Sequence, residues 1–189
     1  MRDRARLALA GYRPRELPPE GRDSSAVLVL LHEERGVEHV LFQVRTLHVE
    51  HHRGEISFPG GRRDAEDRSL LATALRETRE EIGVPEADVE VFGQLDDTVT
   101  ASSNYLIRPY VGALRPGPRE FAAAPSEVSE LLRVPLEHLL LPGAQGWHVV
   151  ERRGMPEAVP AYRYGDHVIW GATARVLGQF LALIDAVQA

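Results

Sequence analysis

The stretch FPGGRRDAEDRSLLATALRETREEIGV, from Phe58 to Val84, decides how this chain is read. A helical turn takes about 3.6 residues, so Glu77, Glu80 and Glu81, spaced i, i+3 and i+4, are expected to project three carboxylates from one side of a single helix. Leu71, Ala74, Leu75, Thr78 and Ile82 fall at helical spacing on the other side, an apolar stripe expected to hold the helix against a sheet and leave the carboxylates facing outward. Gly83 is placed as the C-cap and Pro85 stops propagation.

Three like charges this close repel on an isolated helix by a few tenths of a kcal/mol per pair. Arg76 and Arg79 are placed to offset part of that, by forked hydrogen bonds to a carboxylate, and a divalent cation would offset the rest. Oxygen-only ligation suits Mg²⁺ or Mn²⁺. Taken alone, the same pattern also fits a solvated, charge-rich helix face. The preceding loop argues for a site: Gly54 and Gly60-Gly61 flank Pro59 and permit a backbone that approaches a ligand closely.

The segment from Phe58 to Val84 resembles the Nudix box, a glycine-led loop followed by a helix bearing R-E-U-x-E-E-x-G-U. The second half is complete from Arg76 to Val84, with Thr78 at a position usually aliphatic. In the first half the frame is one residue out of step: the family's leading Gly falls on Arg62 and its early Glu on Arg68. One extra residue, with Asp67 in place of the glutamate, restores it. Asp64 or Asp67 then supplies an outer carboxylate, or Asp67 caps the helix. The resemblance implies metal held by Glu77, Glu80, Glu81 and a carbonyl at or near Gly61, with Arg76 among the catalytic residues.

Upstream, Leu41-Phe42-Gln43-Val44-Arg45-Thr46, then Gly54, then Phe58-Pro59-Gly60-Gly61, is similar to the signature of the coenzyme A pyrophosphatases within that family. Spacing matches throughout. Glu50 stands where the pattern has Arg, and Arg53 is the cation nearest to it. Ile169-Trp170-Gly171-Ala172-Thr173-Ala174 resembles the segment that opens the last helix of these enzymes. By this likeness Arg45, Arg53, Gly54, Phe58 and Gly60 are the expected substrate-binding positions. Glu120 and Glu127 are the candidates for one further carboxylate, from a loop near the E-V-x-x-x-x-x-V-P-L segment; Glu127 alternatively starts a short helix.

The rest of the 189-residue chain bounds the answer. Its 43% hydrophobic and 26% charged content suits one globular unit, with residues 1–22 as a helix and arm attached to a domain over residues 23–189. No cysteine is present, which excludes disulfides, thiolate catalysis and cysteine-held metals. No apolar run approaches the ~18 residues of a membrane span, and the apolar part of the N-terminus is too short for a signal peptide; a cytoplasmic enzyme is expected. Net charge of −6 argues against a nucleic-acid footprint while allowing a small polyanion to meet a local arginine cluster.

Arg2, Arg4 and Arg6 lie on a helix expected to dock on the domain. Ala26 to Leu31 and Val37 to Val44 read as a hairpin at the sheet centre, Val89 to Leu95 and Leu106 to Leu114 as further strands, and Gln145 to Glu151 with Ala161 to Tyr164 as a late hairpin. His48, His51 and His52 read as loop residues, and Asp96-Asp97 as a turn. Trp147, Tyr162, Tyr164 and Trp170 are aromatic packing residues, with adenine stacking as the alternative. Gly171 to Val187 reads as a closing amphipathic helix.

The fold expected is therefore an α/β/α sandwich with a mixed sheet, the Ser69–Ile82 helix on one face and the last helix on the other. The function expected from the likeness is metal-dependent cleavage of the pyrophosphate of coenzyme A or its thioesters, by a monomer or homodimer with no nucleic-acid or membrane partner. The alternatives are a Nudix hydrolase for another nucleoside diphosphate derivative, such as ADP-ribose or a dinucleotide, and a non-catalytic ligand-binding module of the same fold.

Overall fold

Ala26 to Leu31 is apolar at every position, and alternation is absent because both faces of this strand are covered: Ala26, Leu28 and Leu30 pack into one layer, Val29 and Leu31 into the other. The computed structural model describes residues 1–46, 54–100, 103–117, 120–152 and 154–187. The elements run α1 (Arg2–Ala10), β1 (Asp23–Glu34), β2 (Val37–Arg45), β3 (Ile56–Ser57), β4 (Gly60–Arg62), α2 (Leu70–Ile82), β5 (Val89–Gln94), β6 (Thr98–Val99) and β7 (Tyr105–Leu114). They continue with β8 (Val128–Pro135), α3 (Leu136–Leu139), β9 (Gln145–Arg152), β10 (Met155–Tyr164), β11 (His167–Trp170) and α4 (Gly171–Ala186).

The architecture is the expected mixed α/β sandwich. The large sheet has the order β3-β2-β1-β7-β5, with β1 and β7 parallel from Asp23↔Tyr105 to Leu31↔Ala113 and the other pairs antiparallel. On one face α2 buries Ala74 and Ile82 against Ala26, Leu28, Leu30 and Leu41. On the other, Val176, Leu177, Phe180, Leu181 and Ile184 of α4 share a core with Val29, Leu31, Val40 and Phe42.

The central hairpin is only half a hairpin. β1 and β2 pair from Glu34↔Val37 to Leu30↔Leu41, and then part. Past that point β1 takes β4 as its neighbour, with Val27 opposite Gly60, while β2 takes β3, with Gln43 opposite Ser57. The segment between β3 and β4 is thus a wedge in the sheet. Phe58 anchors it, stacked on Phe42 with ring centroids 4.8 Å apart, and the Pro59 carbonyl accepts from the Leu28 amide at 2.9 Å. A splayed sheet of this kind leaves a cleft at the wedge, lined by backbone and by strand-end side chains.

The N-terminal helix and arm belong to the same core. Ala5 and Leu9 are buried with the α4 side chains, and Arg4 donates to the Ile184 carbonyl at 2.9 Å and to Val187 at 3.1 Å, satisfying the end of α4. The arm is pinned by Asp96, which accepts from the Tyr12 hydroxyl and the Arg15 amide, and by Asp97, which accepts from the Leu17 amide. The Asp96-Asp97 turn is a docking point for the arm.

Two expectations change. Val128–Pro135 is a strand paired with β2 rather than a helix started by Glu127, because Val128, Leu132 and Val134 bury an alternating edge against it. The late hairpin is longer than expected, Gln145–Arg152 with Met155–Tyr164, and β11 adds a third strand that delivers the chain to α4.

Candidate active site

Helix α2 starts at Ser69, whose hydroxyl accepts from the Ala72 amide at 3.1 Å, and stops at Gly83 in the left-handed conformation. Ser69, not Asp67, is the cap. Asp67 instead receives the fork of Arg76, Nε to Oδ1 at 3.0 Å and Nη2 to Oδ2 at 3.0 Å, and also accepts from the Thr73 hydroxyl and the Asp64 amide. The Arg76 fork first, then those two bonds, hold the Asp67 carboxyl well below the usual carboxylate range. The remaining Arg76 nitrogen, Nη1, reaches Glu77 and Glu80, each at 2.9 Å. One arginine thus locks the loop to the helix and holds two of its three glutamates.

The three glutamates do not all face outward. At 100° per residue, Glu81, Glu77 and Glu80 lie roughly 60°, 100° and 160° from the centre of the stripe made by Ala74, Thr78 and Ile82. They fan from core to solvent. Glu81 is 2% exposed, Glu77 is half-buried on the wall of the cleft, and Glu80 is exposed to solvent. Glu81 accepts from the Gly60 amide at 2.8 Å and from Gln43 Nε2 at 2.7 Å, with Arg45 Nη1 at 3.9 Å. Burial pushes its carboxyl up to about 7, with those two hydrogen bonds and Arg45 pulling down and Glu77 pushing up. Burial also raises Glu77, opposed by Arg76 and reinforced by Glu80 and Glu127.

A cavity of about 430 Å³ opens at the sheet wedge. Its walls include Ser25, Arg45, Ser57, Gly60, Gly61, Arg62, Glu77 and Glu127, together with Thr100, Ser103, Tyr105 and Ile107 from the β6–β7 region and Arg152, Trp170, Thr173 and Arg175 from the last third of the chain. Gly61 lets the Glu77 carboxyl sit against the loop, since a Cβ would lie 2.5–2.6 Å from the Glu77 carboxyl atoms and displace them. At Gly60, φ is +146° and a Cβ would meet the Ala26 carbonyl oxygen at 2.3 Å. Within the same wall, Arg45 Nε and Ser57 Oγ are buried without a hydrogen-bond partner among the described residues. Buried polar atoms of this kind call for an ordered water or a further polar partner.

Of the positions read from the sequence, Arg45, Gly60, Gly61, Glu77 and Glu127 meet on this cavity. Glu127 is set there by β2, because Thr46 takes its carbonyl at 2.9 Å. Glu120 is exposed, beyond the end of α2, and lines no part of the cavity. Phe58, expected to touch substrate, is a core residue 2% exposed; its role is to seat the wedge. Gly54 lies just outside, its amide bonded to the Arg45 carbonyl at 3.1 Å. Arg53, Glu50, His48, His51 and His52 lie outside the described residues.

Gln43, Ser57, Tyr105, Arg152 and Arg175 were not read as site residues. Gln43 was visible as a polar residue in an otherwise apolar strand, which is a signal. Ser57 adjoins the Phe58–Gly61 loop, and Tyr105, Arg152 and Arg175 reach the cavity only through pairings remote in sequence.

The model of the NUDIX domain matches residues 22–152. The chain belongs to the Nudix family. It is 36% identical over 166 residues to the uncharacterised Nudix hydrolase NudL of Photorhabdus laumondii, covering 88% of this chain and 87% of that protein. It is 34% identical over 186 residues to the human mitochondrial coenzyme A diphosphatase NUDT8, covering 97% of this chain and 77% of that protein. Among solved structures, a MutT/nudix family protein from Enterococcus faecalis superposes with a TM-score of 0.61 at 20% identity, over 90% of this chain and 66% of that one, a likeness of fold.

The Nudix site's donors suit a hard divalent cation. The carboxylates of Glu77, Glu80 and Glu81 and the Gly61 carbonyl could offer oxygen donors only, and two of those carboxyls sit where burial disfavours an uncompensated charge. Among the described residues no three acidic or histidine side chains converge on one point. Mg²⁺ does not require that, since it commonly takes one or two carboxylates and fills its other positions with water and substrate phosphate.

Proposed function

We propose that this Nudix hydrolase cleaves the pyrophosphate of coenzyme A and its thioesters, giving adenosine 3′,5′-bisphosphate and 4′-phosphopantetheine or its acyl form. The observation that carries the reading is the 34% identity to the human mitochondrial coenzyme A diphosphatase across 97% of this chain. The cavity supports it: a half-buried carboxylate, a close glycine backbone and an arginine with an orphaned Nε occupy one wall.

In the reaction, water oxygen forms a bond to one phosphorus, the bridging P–O bond breaks, and the water's proton passes to a carboxylate. One or two of Glu77, Glu80 and Glu81, with the Gly61 carbonyl, would hold Mg²⁺ or Mn²⁺, which when bound would neutralise phosphoryl charge and acidify water. Arg45, on the cavity wall at the wedge, binds a phosphoryl oxygen. Glu77 lines the cavity and takes up the proton or a metal position; Glu127 adds a further carboxylate within electrostatic reach of it. Arg76 does not line the cavity. It fixes Glu77 and Glu80 to the loop through Asp67, so the carboxylates are oriented before substrate arrives.

A steady-state panel of coenzyme A, acetyl-coenzyme A, ADP-ribose and a diadenosine polyphosphate, each with Mg²⁺ and with Mn²⁺, tests the proposal. The coenzymes are expected to have the highest kcat/KM, and chelator to stop turnover. Preference for ADP-ribose or the dinucleotide would assign the site to a different nucleoside diphosphate derivative.

A further inference from the structure

The carboxylates occupy part of the cavity; another part is basic and has no assigned use. Arg152 ends β9 and Arg175 lies in the second turn of α4, and both line the same cavity as Glu77 and Gly61. They share that cavity within electrostatic reach of one another: burial first, and then the charge of Arg152, lowers the Arg175 guanidinium from its ordinary value. Two guanidiniums on one cavity wall, both open to solvent, repel one another and favour an anion between them.

Protein groups do little to relieve this. Arg175 spends one N–H on the Val99 carbonyl at 2.6 Å, and no carboxylate pairs with it among the described residues. Arg152 has Glu157 at 3.3 Å, a pair about two-fifths exposed and therefore weak. The start of α4 adds to the field. Its N-cap is Trp170, which offers no side-chain acceptor; its first turn carries no acidic residue; and Gly171, Ala172 and Thr173 face the cavity. The forked donors of two arginines beside a helix start match the three oxygens of a phosphomonoester.

We propose that Arg152 and Arg175 form a second anion subsite, which takes a phosphomonoester on the substrate's nucleoside and so selects substrates carrying a phosphate beyond the scissile pyrophosphate. This rests on the reading of the cavity as a pyrophosphohydrolase site for coenzyme A. Tyr105 and Trp170 line the same cavity and are of a kind that stacks on a base.

The test compares coenzyme A with 3′-dephospho-coenzyme A in the wild type, R152Q, R175Q and the double variant. Charge-assisted hydrogen bonds of this kind convert to about 10-fold in KM for each arginine and about 100-fold for both. That loss is expected for coenzyme A only, with kcat within about threefold and KM for the dephospho compound unchanged. Because R175Q also removes the bond to Val99, R175K is included; it retains the charge and is expected to recover part of the lost discrimination. Equal weakening of both substrates, or an unchanged KM for coenzyme A in R152Q and the double variant, would overturn the subsite.

Calorimetry separates this from failure of the functional reading. Even if neither coenzyme is hydrolysed, the subsite stands if adenosine 3′,5′-bisphosphate binds the wild type more tightly than AMP and that advantage is lost in the double variant. It falls if the two nucleotides bind alike.

Discussion

Two arginine–aspartate forks hold this molecule together, and they do different things. Arg108 grips Asp97 at 2.9 and 2.8 Å, and Arg76 grips Asp67 at 3.0 and 3.0 Å. Around Arg108 the accounts nearly close: Asp97 also receives the Leu17 amide, Glu16 lies at 3.1 Å from the guanidinium, and the whole set fastens the N-terminal arm to the sheet. Around Arg76 they do not. Asp64, Asp67, Glu77 and Glu80 all draw on one guanidinium, and Glu81 lies behind them in the core. A fork that ties the arm to the sheet, with its one spare carboxylate, Glu16, exposed to solvent, is a fastening. A fork beside surplus, half-buried carboxylates marks a place where something positive is expected to bind.

The sharpest break in that comparison comes from Glu77. Glu77→Gln keeps size and burial but removes the carboxylate on the cavity wall; turnover is expected to fall by about 10³-fold with the melting temperature held or raised, since burial already disfavours that charge. Melting curves and single-turnover rates check both halves. Retained activity would move the chemistry away from the Arg76 cluster.

At the other fork the expected effect is on folding. Arg108→Ala strands the fully buried Asp97 side chain and is expected to cost about 3–5 kcal/mol, read by denaturant titration. KM of the protein that remains folded should not change. A large change in KM would show that the arm's fastening also shapes the cavity.

The smallest effect concerns pH. Burial raises the Glu81 carboxyl in the folded state to about 7, above its ordinary unfolded value. Between the two values the folded protein binds the extra proton, so stability falls as pH rises through that window. Metal-free protein is therefore expected to be more stable near pH 5 than near pH 8, by on the order of 2 kcal/mol, through this group. Mg²⁺ should diminish the difference, because the cation favours the ionised form. Glu81→Gln, which keeps an acceptor for the Gly60 amide, should flatten it without metal. A pH profile unchanged by that substitution would remove Glu81 from the account.

Most of the frame was legible in the sequence because it depends on local periodicity. The run Ala26–Leu31, the apolar stripe of α2, Gly83 as its stop and the closing helix each carry their pattern within a few residues. The wedge was half legible: Gly60-Gly61 announced close approach, but the parting of β1 from β2 depends on pairings that no local pattern encodes. Glu81 was misplaced as outward-facing. Its burial is set by Gln43 and the Gly60 amide from other elements, which make an inward carboxylate tolerable. Arg152 and Arg175 were illegible as a pair, since only the fold brings a strand end and a helix start 23 positions apart onto one cavity.

The most direct measurement of the central claim is mass-spectrometric identification of the products formed from coenzyme A by purified protein with Mg²⁺. The account predicts adenosine 3′,5′-bisphosphate and 4′-phosphopantetheine in equal amounts, with one oxygen of labelled water in one of the two and neither product in the presence of chelator. Release of inorganic phosphate with dephospho-coenzyme A, or no chelator-sensitive cleavage of the pyrophosphate, would contradict it.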